Sequence, residues 1–167
     1  MLENPEILSY FLYAILVGIF IGIEREYMKR NYNSHKSIMG IRTFILISIF
    51  GALSGYLSLY FSNVWLLLVP FLVLSAFILL EYAFTIKKTK AFHTTTEMCA
   101  FIVFILSAIP FYGFGKIAVS LSILIAILLS SRIYLHHFIQ TITKKELNDT
   151  LKFAIIALVI LPFLPNK

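Results

Sequence analysis

Disulfide chemistry is closed to this chain from the start. Its 167 residues include one cysteine, Cys99, which has no partner for an internal bridge or a cysteine-based metal site. Set within an apolar run, Cys99 reads as a small buried side chain. Charge is the second scarcity. Asp, Glu, Lys and Arg supply 13% of the residues against 60% apolar ones, too little to clothe a soluble domain of this size, so the expected solvent is lipid. The net charge of +6 comes from Lys and Arg residues in short loops between apolar runs. With no separate basic domain, their expected partner is the membrane surface and not nucleic acid. Also missing are a nucleophile beside a base, a phosphate-binding glycine loop and a metalloprotease motif, so no enzymatic activity is expected. The opening residues Met-Leu-Glu-Asn-Pro-Glu lack the basic stretch and cleavage site of a signal peptide, and the first hydrophobic segment should stay in place.

What is present is a succession of apolar runs of about 14 to 24 residues, bracketing the roughly 20 that cross hydrocarbon as a helix. The fold class this implies is all-α, a polytopic transmembrane bundle of about six spans. Asn4-Pro5-Glu6 has the form of a helix start before the run Ile7 to Ile23. A charged segment, Glu24 to Lys36, then separates helix 1 from helix 2, about Ile38 to Phe61. Ser62-Asn63 makes a very short turn into helix 3, about Val64 to Phe84. A polar loop with Lys87, Lys88 and Lys90 leads to helix 4, Met98 to Tyr112. Gly113-Phe114-Gly115-Lys116 turns the chain into helix 5, Ile117 to Ser131. From Arg132 to Lys152 the pattern becomes amphipathic and interfacial. Thr143-x-x-Glu146 has capping-box form and opens the last helix, with its apolar part at Leu151 to Leu164.

Basic residues fix the expected orientation. Arg25, Lys29, Arg30, Lys36 and Arg42 surround the first loop, Lys87, Lys88 and Lys90 the third, and Arg132, Lys144, Lys145 and Lys152 the fifth. The other side holds Lys116 and Lys167. By the positive-inside rule the odd loops are cytoplasmic and both termini extracytoplasmic.

Gly18-x-x-x-Gly22 and Gly51-x-x-x-Gly55 each place two side-chain-free positions on one helix face, where backbones can approach closely. Packing of helix 1 on helix 2 is the plainer reading, and a homodimer interface the sharper one. Charges gather at the expected cytoplasmic ends: Glu24, Arg25 and Glu26 after helix 1, Arg42 opening helix 2, Glu81 late in helix 3, Glu97 opening helix 4. Arg25, Glu97 and Arg132 suit their helix dipoles, whereas Glu24, Arg42 and Glu81 oppose theirs. A charge so placed beside hydrocarbon should have a partner, and the expectation is a Glu24–Arg42 pair, structural or functional. Thr94-x-x-Glu97 also has capping-box form. The cap is the plainer reading; together with Thr95 and Thr96, its oxygens also suit a hard cation such as Mg²⁺. His93 and Glu97 could share a helix face but make a weak metal signal, while His136 and His137 read as interface anchors.

The stretch Gly18-Ile-Phe-Ile-Gly22-Ile-Glu24-Arg25-Glu26, with Gly40-Ile41-Arg42-Thr43-Phe44 and Gly51-Ala52-Leu53, resembles the signature of the MgtC/SapB family of bacterial membrane proteins. Thr95-Thr96-Glu97, Lys145-Glu146-Leu147 and the end from Leu161 to Asn166 look like a longer subfamily, in which a second membrane module follows. The resemblance implies a five-helix membrane domain over 1–133 and, over 134–167, an interfacial segment plus a sixth helix that begins a second module. Short family members end in a soluble cytoplasmic domain without a counterpart here, and this sequence looks like the front part of a longer member. The resemblance further implies a place in the bacterial cytoplasmic (inner) membrane and a role in magnesium homeostasis. Glu24, Arg25, Arg42, Thr43, Thr95, Thr96 and Glu97 form the expected functional cluster. Expected partners are the bilayer and a second copy or second membrane protein; no cofactor is expected, with Mg²⁺ the ion to consider. A modulator or accessory role leads, because the middles of the helices are nearly devoid of charge. A transporter or channel subunit is the competing class, and a purely structural interaction partner the third.

Overall fold

The computed structural model describes residues 4–31, 39–89 and 94–157. Among these, every regular element is helical: α1 Asn4–Asn31, α2 Ile41–Tyr60, α3 Trp65–Thr89, α4 Thr94–Ala108, a 3₁₀ turn Ile109–Tyr112, α5 Gly115–Ser130, α6 Arg132–Thr141 and α7 Lys144–Ile155. Glu6–Arg30, Ile41–Tyr60 and Thr95–Tyr112 are long and apolar enough to cross a membrane, and Trp65–Glu81 and Gly115–Ser130 are shorter apolar helices. Leu72, Phe77 and Leu80 on α3 and Leu124 and Ile127 on α5 are largely exposed. Apolar surface of that extent belongs in hydrocarbon.

The chain divides into two units, Met1–Ser130 and Ser131–Lys167. In the first, α1 packs on α2, α4 and α5, and α2 packs on α1, α3 and α4. Val17 and Ile21 of α1, Phe44 and Ile47 of α2, and Val103 and Phe104 of α4 fill the core between them. Toward the start of α1 a second cluster gathers Phe11, Tyr56 and Phe111, with ring centroids 5.0 Å apart for Phe11–Phe111 and 5.8 Å for Tyr56–Phe111. Both are spacings at which aromatic rings attract beyond simple burial.

Glycine sets the closest approaches. An ideal Cβ on Gly18 would lie 2.9 Å from the Phe44 carbonyl oxygen, and one on Gly22 would lie 3.2 Å from Ile41 Cα, so this pair seats α1 on α2. The other pair serves a different neighbour. A Cβ on Gly55 would come 3.0 Å from Ala108 Cα, and one on Gly51 would run into the Phe104 carbonyl, so Gly51 and Gly55 seat α2 on α4. All four glycines thus make contacts within the chain, and the helix 1–helix 2 interface uses only the first two.

Several element ends differ from the sequence expectations. Helix 1 does not stop at Ile23; α1 continues through the charged residues to Asn31. Polarity there marks where hydrocarbon ends, not where backbone hydrogen bonding ends. Lys87 and Lys88 likewise lie on α3, which runs to Thr89, and not in a loop. Helix 4 begins earlier than Met98, at Thr94, and its last four expected residues tighten into a 3₁₀ turn. Pro110 is the cause, because it has no amide to donate and its ring clashes with the carbonyl four residues back. Gly113 then reverses the chain at φ 89°, the left-handed conformation that side chains disfavour. The Ser62-Asn63 turn forms as expected, and Asn63 Oδ1 accepts the Trp65 amide at 3.0 Å to cap α3.

The second unit contains α6 and α7. Thr143 caps α7 reciprocally: its hydroxyl accepts from the Glu146 amide, and the Glu146 carboxylate accepts from the Thr143 amide at 2.8 Å. Arg132 opens α6 instead of closing α5, so its expected role as the terminal base of helix 5 does not hold. The apolar stretch from 158 onward, Lys36, Lys90 and the side chains of His93, Thr94, His136 and His137 lie outside the described residues.

Candidate functional site

The charged end of the first unit is built by the last turns of α1, the first turn of α2 and the first turn of α4. Glu24 is 7% exposed and Arg25 10%, and they bond each other through both carboxylate oxygens. Arg25 Nη2 donates to Glu24 Oε1 at 2.8 Å and Arg25 Nε to Oε2. Consecutive helical residues ordinarily diverge. Here the long arginine folds back on its neighbour, and the planar guanidinium matches both oxygens at once.

The expected Glu24–Arg42 pair does not form. Arg42 is exposed in the first turn of α2, and no ion pair joins it to another described residue. Two facts account for this. Glu24 sits two turns before the end of α1, where the helix dipole has faded, so it is not a terminal charge in need of compensation. Arg25 also offers a bidentate partner without the cost of ordering a second chain segment.

Sequence reasoning placed Glu26 in the cluster but missed what it does. Its Oε2 accepts the Ile41 amide at 3.3 Å, closing the start of α2 from the neighbouring helix. Gly40, the N-cap residue of α2, supplies no side-chain cap. A Cβ there would stand 2.6 Å from Glu26 Oε2, so glycine is what admits the carboxylate. Nothing in the sequence pattern paired these two residues.

Glu97 lies in the first turn of α4, half-buried. Its Oε2 is shielded from solvent and has no hydrogen-bond partner among the described residues. Glu81 of α3 faces Glu97 at electrostatic range. Glu24, Arg25 and Glu97 all act electrostatically on the Cys99 thiol, which is 2% exposed and two residues further along α4. Glu24, Arg25 and Glu97 thus lie within electrostatic range of one buried thiol. Thr43 is half-buried in the first turn of α2, where its amide donates to the Gly40 carbonyl. Thr95 is exposed and Thr96 half-buried at the start of α4. Neither Arg42 nor these threonines make a described bond to the acidic residues.

Deeper in the spans the buried polar side chains are serines: Ser48, Ser54, Ser107 and Ser122. Three of them donate to carbonyls of their own helices, Ser48 to Ile45, Ser54 to Phe50 and Ser122 to Val119. Among the described residues no three His, Cys, Asp or Glu side chains converge to hold a metal ion.

Long apolar helices joined by glycine contacts, with the buried charge of the described residues at one end, define a helical membrane protein. A sequence model of the MgtC family matches residues 11–138, and the chain belongs to that family. Neither a curated protein nor a solved structure matches it.

Proposed function

We propose that this chain is a multi-pass protein of the bacterial cytoplasmic membrane, with about six spans and both termini extracytoplasmic, that acts in cation homeostasis as a modulator or accessory protein. Magnesium is the cation that family membership favours. The observation that carries the modulator reading is where the polar groups lie. A buried, mutually satisfied Glu24–Arg25 pair and the half-buried Glu97 lie toward one end of the bundle, while the buried polar groups described in the spans behind them are serines: Ser48, Ser54 and Ser122 bond their own helices, Ser58 accepts from the Tyr112 hydroxyl, and Ser107 is shielded without a partner. Ion pathways ordinarily need polar groups near the bilayer midplane.

A second reading, a subunit of an ion or small-solute transporter, draws on one observation: the unpartnered, solvent-shielded oxygen of Glu97, facing Glu81. Cation flux into proteoliposomes, measured beside growth of the host at limiting magnesium, separates the two. The modulator reading expects a growth requirement that Glu97→Gln and Arg25→Gln abolish, with no flux from the purified protein. Magnesium flux that disappears in Glu97→Gln would overturn it in favour of transport.

A further inference from the structure

At the end of the first unit opposite the Glu24–Arg25 pair, the opening turns of α1 and α5 border a cleft of ≈ 490 Å³. That volume falls in the range of small-molecule sites. From α1 come Glu6, Ser9, Tyr10 and Tyr13, whose spacing puts them on one helix face. Lys116 enters from the first turn of α5, where the leading amides have no acceptor within the helix. Gly115 shapes one wall of the cleft: a Cβ there would strike the Tyr13 ring and push it from its place.

The charges are arranged unusually for so small a space. Glu6 and Lys116 line the same cleft, yet the ion pairs among the described residues are Glu24–Arg25 and Asp149–Lys152. Both are exposed, so a carboxylate and an ammonium are each open to a ligand at this cleft. The Ser9 hydroxyl gives its proton to the Glu6 carbonyl at 2.7 Å, leaving its lone pairs free to accept. Tyr10 and Tyr13, on the same helix as Glu6, add aromatic surface to the lining, which suits a cation.

We propose that this cleft binds a zwitterion, with its ammonium held by Glu6 and the tyrosines and its oxyanion by Lys116. Two sources share that chemistry: the phosphoethanolamine headgroup of a bilayer lipid, and a free α-amino acid. A molecule with one charge meets only half of the site.

Native mass spectrometry of the full chain, titrated with phosphatidylethanolamine or phosphatidylglycerol, and calorimetry with glycine test the proposal. A lipid source predicts that phosphatidylethanolamine binds about tenfold more tightly than phosphatidylglycerol, the worth of one charge-assisted hydrogen bond. A soluble source predicts saturable glycine binding without lipid preference. In either case Glu6→Gln and Lys116→Gln should each lose about tenfold in affinity, and Lys116→Arg should retain it. The charge exchange Glu6→Lys with Lys116→Glu should recover binding with the ligand reversed, which a misfolded variant would not do. The proposal is overturned if phosphatidylglycerol binds as well as phosphatidylethanolamine and glycine does not bind. It is equally overturned if the binding seen is indifferent to Glu6→Gln, which would mark a simple anion contact at Lys116.

Discussion

Replacing Gly51 by alanine should destabilise the bundle by about 2 kcal/mol, although alanine is the better helix former. A Cβ at Gly51 would overlap the Phe104 carbonyl oxygen and approach the Phe104 Cα and carbonyl carbon to 3.1 Å, where ordinary contact begins near 3.4 Å. All three atoms are backbone, so no side chain can swing aside, and α2 must part from α4. Opening such an interface by about 0.5–1 Å forfeits a quarter to a half of its dispersion attraction. Overpacking of this kind costs about 1–3 kcal/mol, here near the upper end, and about 1 kcal/mol returns from alanine's helix propensity. Gly22 supplies the internal comparison. Its Cβ would meet Ile41 Cγ1 at 3.1 Å and Cα at 3.2 Å, a contact partly with a movable side chain. Gly22→Ala should therefore lie within about 0.5 kcal/mol of the parent. Unfolding in mixed detergent micelles, followed by circular dichroism, gives both values. If Gly51→Ala proves no less stable than Gly22→Ala, the assignment of Gly51 to the α2–α4 contact is wrong.

Arg25→Leu strands the Glu24 carboxylate and should cost about 3–5 kcal/mol, whereas Glu24→Leu combined with Arg25→Leu should recover most of it; a double-mutant cycle in the same unfolding assay checks this. Glu26→Ala removes the cap on α2 and should cost about 1 kcal/mol. Faster hydrogen exchange confined to the Ile41 amide region would show that the loss is local. In α7 the Thr143 amide and hydroxyl hold the Glu146 carboxyl below its ordinary value of 4.5. Because the folded-state pKa is depressed, the cap should be complete above pH 4.5 and fail as pH falls through the lowered value. The Thr143 amide resonance in labelled protein should report that transition, and a midpoint at or above 4.5 would count against the capping geometry.

Hydrophobic length alone made the helical membrane architecture legible, since runs near the bilayer thickness leave few alternatives. The Thr143–Glu146 cap was legible too, because both partners lie within one turn. The α1 end was not. Glu24 to Asn31 are polar, and composition registers departure from lipid while the helix continues into the interface. The same misplacement made Glu24 look like a terminal charge and suggested Arg42 as its partner. Gly51 and Gly55 showed that a close helix contact exists without saying which helix makes it, because a glycine face is recognised by what it lacks. Glu26 and Gly40 lay beyond pattern reading altogether, since their meeting depends on how the intervening chain returns.

The Glu26 carboxylate on the Ile41 amide has a consequence for how this protein can change. A side chain of one helix thus grips the backbone of the next, so whatever draws the Glu26 carboxylate away from the last turns of α1 also frees the first amide of α2. A change at one charged residue is felt by two helices at once.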